Sequence, residues 1–147
     1  MMRKISYLLF IFLLFNACQN HSVPNQGLEK ISAFADGSVK IDRKYTTLDG
    51  VKTFIYQREF YNDGQLYKEG PLKNEKPDGL WKSYYQNGTL WSEGEFDQGV
   101  RNGISRTFHE NGSLYYDGYY EHAKKTGLWR FFRSDGSMIK EIDFSKK

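Results

Sequence analysis

Apolar and polar positions alternate in short runs along most of this chain, and each run breaks at an Asp-Gly or Asn-Gly pair. The stretch "QNGTLWSEG" at 86–94 has near copies in "NDGQLYKEG" at 62–70 and "ENGSLYYDG" at 110–118. The spacing is strict. Gly64, Gly88, Gly112 and Gly136 are 24 residues apart, as are Gly70, Gly94 and Gly118, and Gly79, Gly103 and Gly127. Leu66, Leu90, Leu114 and Met138 keep the same step, and so do Phe60, Tyr84, Phe108 and Phe132. Self-similarity at a fixed period marks a repeat architecture.

Each first glycine follows Asp or Asn, the pair that best tolerates a two-residue hairpin turn with positive φ at both positions. A turn at Asn87-Gly88 then predicts that Tyr84 faces Trp91, Lys82 faces Glu93 and Trp81 faces Gly94. Applied to the other units, the rule pairs Arg58 with Glu69, Arg106 with Asp117 and Arg130 with Glu141. It also pairs Phe60 with Tyr67, Phe108 with Tyr115 and Phe132 with Ile139. Opposite charges and aromatic neighbours across a ladder each contribute roughly 0.2–1 kcal/mol. In this register an indole at Trp81 covers the bare backbone of Gly94. Gln57 over Gly70 and Ser105 over Gly118 are weaker versions, and Trp129 facing Ile142 marks a terminal unit modified as a cap.

The third glycine closes a polar return loop of about seven residues, in "KNEKPDG", "DQGVRNG" and "EHAKKTG". No helical spacing of apolar residues follows residue 17. The predicted fold is all-β: an elongated antiparallel meander of 24-residue hairpins in a single twisted sheet. By parity, one face carries Leu66, Leu90, Leu114 and Met138 with Trp81, Trp129, Phe96, Tyr120 and Phe144, and is the better candidate for burial. The other interleaves aromatic and ion pairs. Gly37 and Gly50 follow Asp36 and Asp49 but are out of step. Residues 28–57 therefore read as degenerate repeats forming an N-terminal cap, with 58–147 as the repeat domain.

The first 17 residues have a different pattern. Arg3 and Lys4 precede an apolar run from Tyr7 to Phe15, and Ala17 precedes Cys18, the single cysteine. This is the pattern of a secretory signal peptide, too short for the about 20 residues of a membrane span. The cysteine at its end resembles the lipid-modified first residue of a bacterial lipoprotein, which implies lipidation of Cys18. Residues 18–27 then form a polar tether from membrane to domain. Loss of Arg3 and Lys4 with the leader takes the formal net charge from +3 to +1. No electrostatic footprint for nucleic acid remains.

The unit seen in "NGTLWSEGEFDQGVRNGIS" resembles the MORN-repeat variant family over about residues 54–144. Bacterial members of that family are often grouped with YwqK-type antitoxin components. The resemblance implies the hairpin-repeat fold and a role in recognition, with toxin neutralisation as one form of it.

Little in the sequence points to catalysis. His21 lies in the tether, His109 takes the place of Tyr85 in the repeat, and His122 lies in a return loop, none with a metal-ligand partner at useful spacing. Glu69, Glu93, Asp117 and Glu141 each face a basic residue, which assigns them to structure. The glycines mark turns and precede no helix that would receive a phosphate. No catalytic, cofactor or metal site is expected. Aromatics make up 17% of the chain, and Tyr67, Trp91 and Tyr115 are the candidate partner-binding residues, set out as an exposed stripe. The expected protein is a non-enzymatic scaffold held by lipid at a bacterial cell envelope, facing periplasm or exterior and binding a protein partner. A lipid-headgroup or glycan surface is the alternative. Neither the partner nor the oligomeric state is written in the sequence.

Overall fold

The computed structural model describes residues 25–146. Residues 1–17, read above as a leader, and Cys18 and His21 lie outside them. Eleven strands form one open antiparallel sheet: β1 (Asn25–Ala33), β2 (Val39–Leu48), β3 (Val51–Phe60), β4 (Leu66–Lys73), β5 (Lys76–Pro77), β6 (Gly79–Tyr84), β7 (Leu90–Asp97), β8 (Val100–Phe108), β9 (Leu114–Glu121), β10 (Lys124–Phe132) and β11 (Met138–Asp143). The strands pair in chain order, with the short β5 beside β4. The all-β meander is as expected. Strand β1 begins at Asn25, so its first residues belong to the sheet and not to the tether.

The turns are the reverse of the expected ones. At each repeat tip the loop has three residues. The Tyr61 N–H donates to Gln65 O at 2.9 Å and the Gly64 N–H to Tyr61 O at 3.0 Å, with Gly64 left-handed at φ 84°. Tyr85, His109 and Arg133 close the other tips in the same way. The Asp or Asn before each glycine keeps negative φ because its side chain is already engaged. Asp63 Oδ1 accepts the Gln65 N–H at 3.0 Å, and Asn87, Asn111 and Asp135 do the same for Thr89, Ser113 and Ser137. Such Asx turns stabilise the type I geometry that precedes a left-handed glycine. The return connections are the two-residue turns with positive φ at both centres: Asn74-Glu75, Gln98-Gly99 and His122-Ala123. They span two residues, not seven. The third glycine lies beyond them, inside the following strand, where the register jumps.

The three-residue tip shifts every adjacent pair by one. Phe60 faces Leu66, Tyr84 faces Leu90, Phe108 faces Leu114 and Phe132 faces Met138. The expected Phe60–Tyr67, Tyr84–Trp91, Phe108–Tyr115 and Phe132–Ile139 pairs do not form. A bulge follows at once: Tyr67, Trp91, Tyr115 and Ile139 are the extra residues, opposed by none. The extra residue restores the original count, so beyond it every expected pair is found, including Arg58–Glu69, Lys82–Glu93, Arg106–Asp117, Arg130–Glu141 and Trp81–Gly94.

These pairs join into one row across the sheet. Its order is Lys30, Asp42, Arg58, Glu69, Lys82, Glu93, Arg106, Asp117, Arg130 and Glu141, with the sign alternating at every step. Each inner member has an opposite charge on both sides. The arginines bond to the strand before them: Arg58 to Asp42 at 2.9 and 2.7 Å, Arg106 to Glu93 at 3.0 Å and Arg130 to Asp117 at 2.6 Å. A slip of one strand by one residue would take its charge out of the row, so the row specifies register.

The opposite face holds the core. Among the described residues, the buried hydrophobic side chains are Leu72, Trp81 and Trp129. Around Trp129 gather Tyr120 at 5.1 Å, Tyr116 at 5.4 Å and Phe144 at 6.0 Å between ring centroids. Leu66, Leu90, Leu114 and Met138 are not on this face, contrary to the expectation. The tip and bulge pair them with Phe60, Tyr84, Phe108 and Phe132, which share the charged face. There the three leucines are half-buried and Met138 is exposed. Indoles do cover glycines, but on the preceding strand: a Cβ at Gly70 would run into Trp81, and one at Gly118 into Trp129. Cross-strand pairing puts Trp81 beside Gly94, yet its ring leans the other way. The first hairpin repeats the tip. Phe34 and Ser38 close it, and Lys40 lies 5.6 Å from the Phe34 ring, where Tyr67 meets Tyr61. It falls out of step because β2 and β3 have 10 residues each.

Candidate functional site

The bulge decides where the three candidate contact residues go. Each packs on the residue that closes its own tip: Tyr67 on Tyr61 at 5.0 Å, Trp91 on Tyr85 at 6.0 Å and Tyr115 on His109 at 5.0 Å. The tip residues in turn reach the next repeat. Tyr61 Oη donates to Tyr84 O and Tyr85 Oη to Phe108 O, both at 2.8 Å. His109 Nε2 lies 3.1 Å from Phe132 O, a carbonyl that only a protonated nitrogen can serve. These bonds lock successive hairpins together along one side of the sheet. Trp91 and Tyr115 stay 39% and 41% exposed, while Tyr67 is half-buried. A shallow groove between two tips brings Trp91 and Tyr115 together with Tyr85 and His109.

Behind Trp91 the face opens into a cavity of about 270 Å³ in the middle of the sheet. Gly94 and Ser105 lie at its base, and Trp81, Phe96, Arg101 and Tyr116 wall it, with Tyr67 and Trp91 at the rim. Ser105 is 2% exposed. The cavity therefore unites two of the three candidates, and the groove unites Trp91 with the third. Tyr61, Tyr85 and Ser105 were missed as site residues. The signal was present, because Tyr61, Tyr85 and His109 keep the 24-residue step and Ser105 interrupts the step from Trp81 to Trp129.

The polar groups on the other face are committed to one another. Glu69, Glu93, Asp117 and Glu141 all stand in the alternating row. Tyr84 Oη donates to Glu69 Oε1 at 2.8 Å. Burial and then this bond push the Tyr84 phenol up to about 12, and burial and Glu69 push Tyr56 to the same value. Both favour the neutral phenol as a donor to a carboxylate. His122 sits at φ 48° in a return turn. Among the described residues no group of three or more His, Cys, Asp and Glu is placed to hold a metal. No helix there is long and apolar enough to cross a membrane. What this arrangement offers chemically is contact: flat rings, a cation and backbone edges.

No curated protein and no solved structure matches this chain. A family model does, three times over, at residues 56–74, 77–98 and 101–122. The matched segments cover the tips at Gly64, Gly88 and Gly112, and the hairpin of β10 and β11 repeats the same tip and bulge just beyond them. Residues 56–74, 77–98 and 101–122 of this chain thus each match the model of the MORN repeat variant.

Proposed function

We propose that this protein is a non-catalytic interaction scaffold, tethered through a lipid on Cys18 at a bacterial cell envelope. The sheet presents its tip side and its tryptophan face to one protein partner, with Trp91, Tyr115 and Tyr67 as the contact residues. Neutralisation of a toxin, or immunity to one, is a form this interaction takes. The observation that supports the reading most is the position of Trp91. A bulge sets it beside the ladder, exposed, at the junction of a groove and a cavity. Exposed aromatic anchors beside a pocket are what protein contacts are built on.

Crosslinked co-purification from the native cell in mild detergent tests it, comparing the wild-type chain with a folded Trp91→Ala, Tyr115→Ala variant. One stoichiometric protein, lost in the variant, is the expected result. No specific protein in either sample would overturn the reading and turn it toward lipid headgroups or glycans.

A further inference from the structure

The cavity has a template in its own neighbours. Trp81, Ser105 and Trp129 are equivalent by the 24-residue step. Trp81 lies over Gly70 and donates Nε1–H to Pro71 O at 2.9 Å. Trp129 lies over Gly118 and donates to Tyr119 O at 3.2 Å. Between them, no indole covers Gly94: a Cβ built there would meet only Ile104 O at 3.7 Å and the edge of Phe96, its Cε2, at 4.0 Å.

The rest of the cradle is nonetheless kept. Lys125 stands 4.3 Å from the Trp129 ring and Tyr120 meets it edge-on. One repeat earlier these positions are Arg101 and Phe96, both lining the cavity, and the carbonyl equivalent to Tyr119 O belongs to Glu95. Tyr116 and Phe131, which flank Trp129, are reduced to Ser92 and Thr107. Arg101 reaches Ser105 Oγ at 3.4 Å and lies 5.6 and 5.3 Å from the centroids of the Phe96 and Tyr120 rings, contacts that set its guanidinium at the cavity wall. The volume, about 270 Å³, lies between the ~150 Å³ that holds benzene and the ~300 Å³ at which drug-sized pockets begin. That suits one bicyclic ring.

We infer that this cavity takes a tryptophan side chain from the partner polypeptide, seated flat on Gly94 beneath Arg101 as Trp129 sits on Gly118 beneath Lys125. The assignment rests on the interaction reading above and names what that partner inserts. Two indoles already occupy the equivalent positions in this sheet, which favours an indole over a sugar ring.

The test is a titration of N-acetyl-tryptophanamide into the full chain in mild detergent, followed by amide chemical shifts, with methyl glucoside in parallel. Saturable shifts at Gly94, Arg101 and Ser105 are expected with the indole. They should vanish in Ser105→Trp, weaken about three- to tenfold in Arg101→Gln through loss of a cation over the ring, and persist in Val51→Ala, an exposed position outside the cavity and the groove. No saturable shift at these amides, persistence in Ser105→Trp, or a response to the glucoside alone would overturn it. A partner still lost from the Trp91→Ala, Tyr115→Ala variant, with no indole response, would leave the interaction surface standing and remove only the cavity assignment.

Discussion

The two faces of this sheet handle the repeat differently. On one, charge alternates from Lys30 to Glu141 without a break. On the other, the row that carries Trp81 and Trp129 breaks at Ser105. The difference separates two tasks. A register is set by pairing that must continue through every strand, since one wrong sign would place like charges side by side. Burial is local: each indole covers one glycine and its immediate neighbours. A repeat can therefore lose its indole and keep its place in the sheet, which frees that position for binding.

The largest effect should come from the filled positions. Trp129→Ala is expected to cost ~3–5 kcal/mol, because its side chain is 1% exposed and anchors a cluster of rings. Denaturant unfolding reads this, and a loss below about 1 kcal/mol would break the claim that burial lies on this face. Next come the glycines. Gly118→Ala places a Cβ against Trp129 and should cost ~1–3 kcal/mol by overpacking. Gly94→Ala brings its Cβ only into ordinary van der Waals contact, 3.7 Å from Ile104 O and 4.0 Å from Phe96 Cε2, and should be neutral or gain ~0.4–1 kcal/mol through reduced unfolded-state entropy. Equal costs at the two positions would erase the distinction between the repeats.

The charged face predicts an alkaline signature. The Tyr84 phenol ionises near its ordinary value of 10.0 in the unfolded chain and near about 12 in the fold. A raised folded value contributes stability that is full below about pH 10 and lost as pH climbs toward 12. Melting temperature should fall across that window, and Tyr84→Phe should flatten part of the fall; an unchanged slope would count against the raised value that burial and then the Glu69 bond give this phenol. The smallest effect belongs to a single member of the row. Glu93→Gln should cost about 1 kcal/mol: the Glu93 side chain is only 14% exposed, but the isosteric amide keeps an acceptor for Arg106, whose side chain is 45% exposed and stays solvated. A folded Glu93→Gln protein that no longer captures its partner would assign the row a second role.

Much of this fold was legible because charge is an unambiguous label. Arg58, Lys82, Arg106 and Arg130 each found the acid that the spacing assigned them. The turns were not legible, because Asp-Gly and Asn-Gly serve both a two-residue loop and a three-residue loop closed by an Asx bond. The extra tip residue and the bulge cancel beyond Tyr67, Trp91 and Tyr115, so the distant pairs gave no warning. Gly94 was expected beneath Trp81, and Gly70 and Gly118 beneath the smaller Gln57 and Ser105, but pairing fixes only which Cα atoms are opposite. The lean of an indole toward the preceding strand depends on its side-chain torsions and on the carbonyl it reaches. The cavity was half-visible in the sequence: Ser105 was read as a weaker cover for a glycine, not as a missing ring.

Thermal denaturation of Ser105→Trp tests most directly whether the middle repeat keeps an empty indole position. If it does, the added ring should fill the cavity over Gly94 and raise the melting temperature by several degrees, with the fold unchanged. A lower melting temperature in the folded variant would mean that the cavity does not fit an indole, and the equivalence of the three repeats on this face would be wrong.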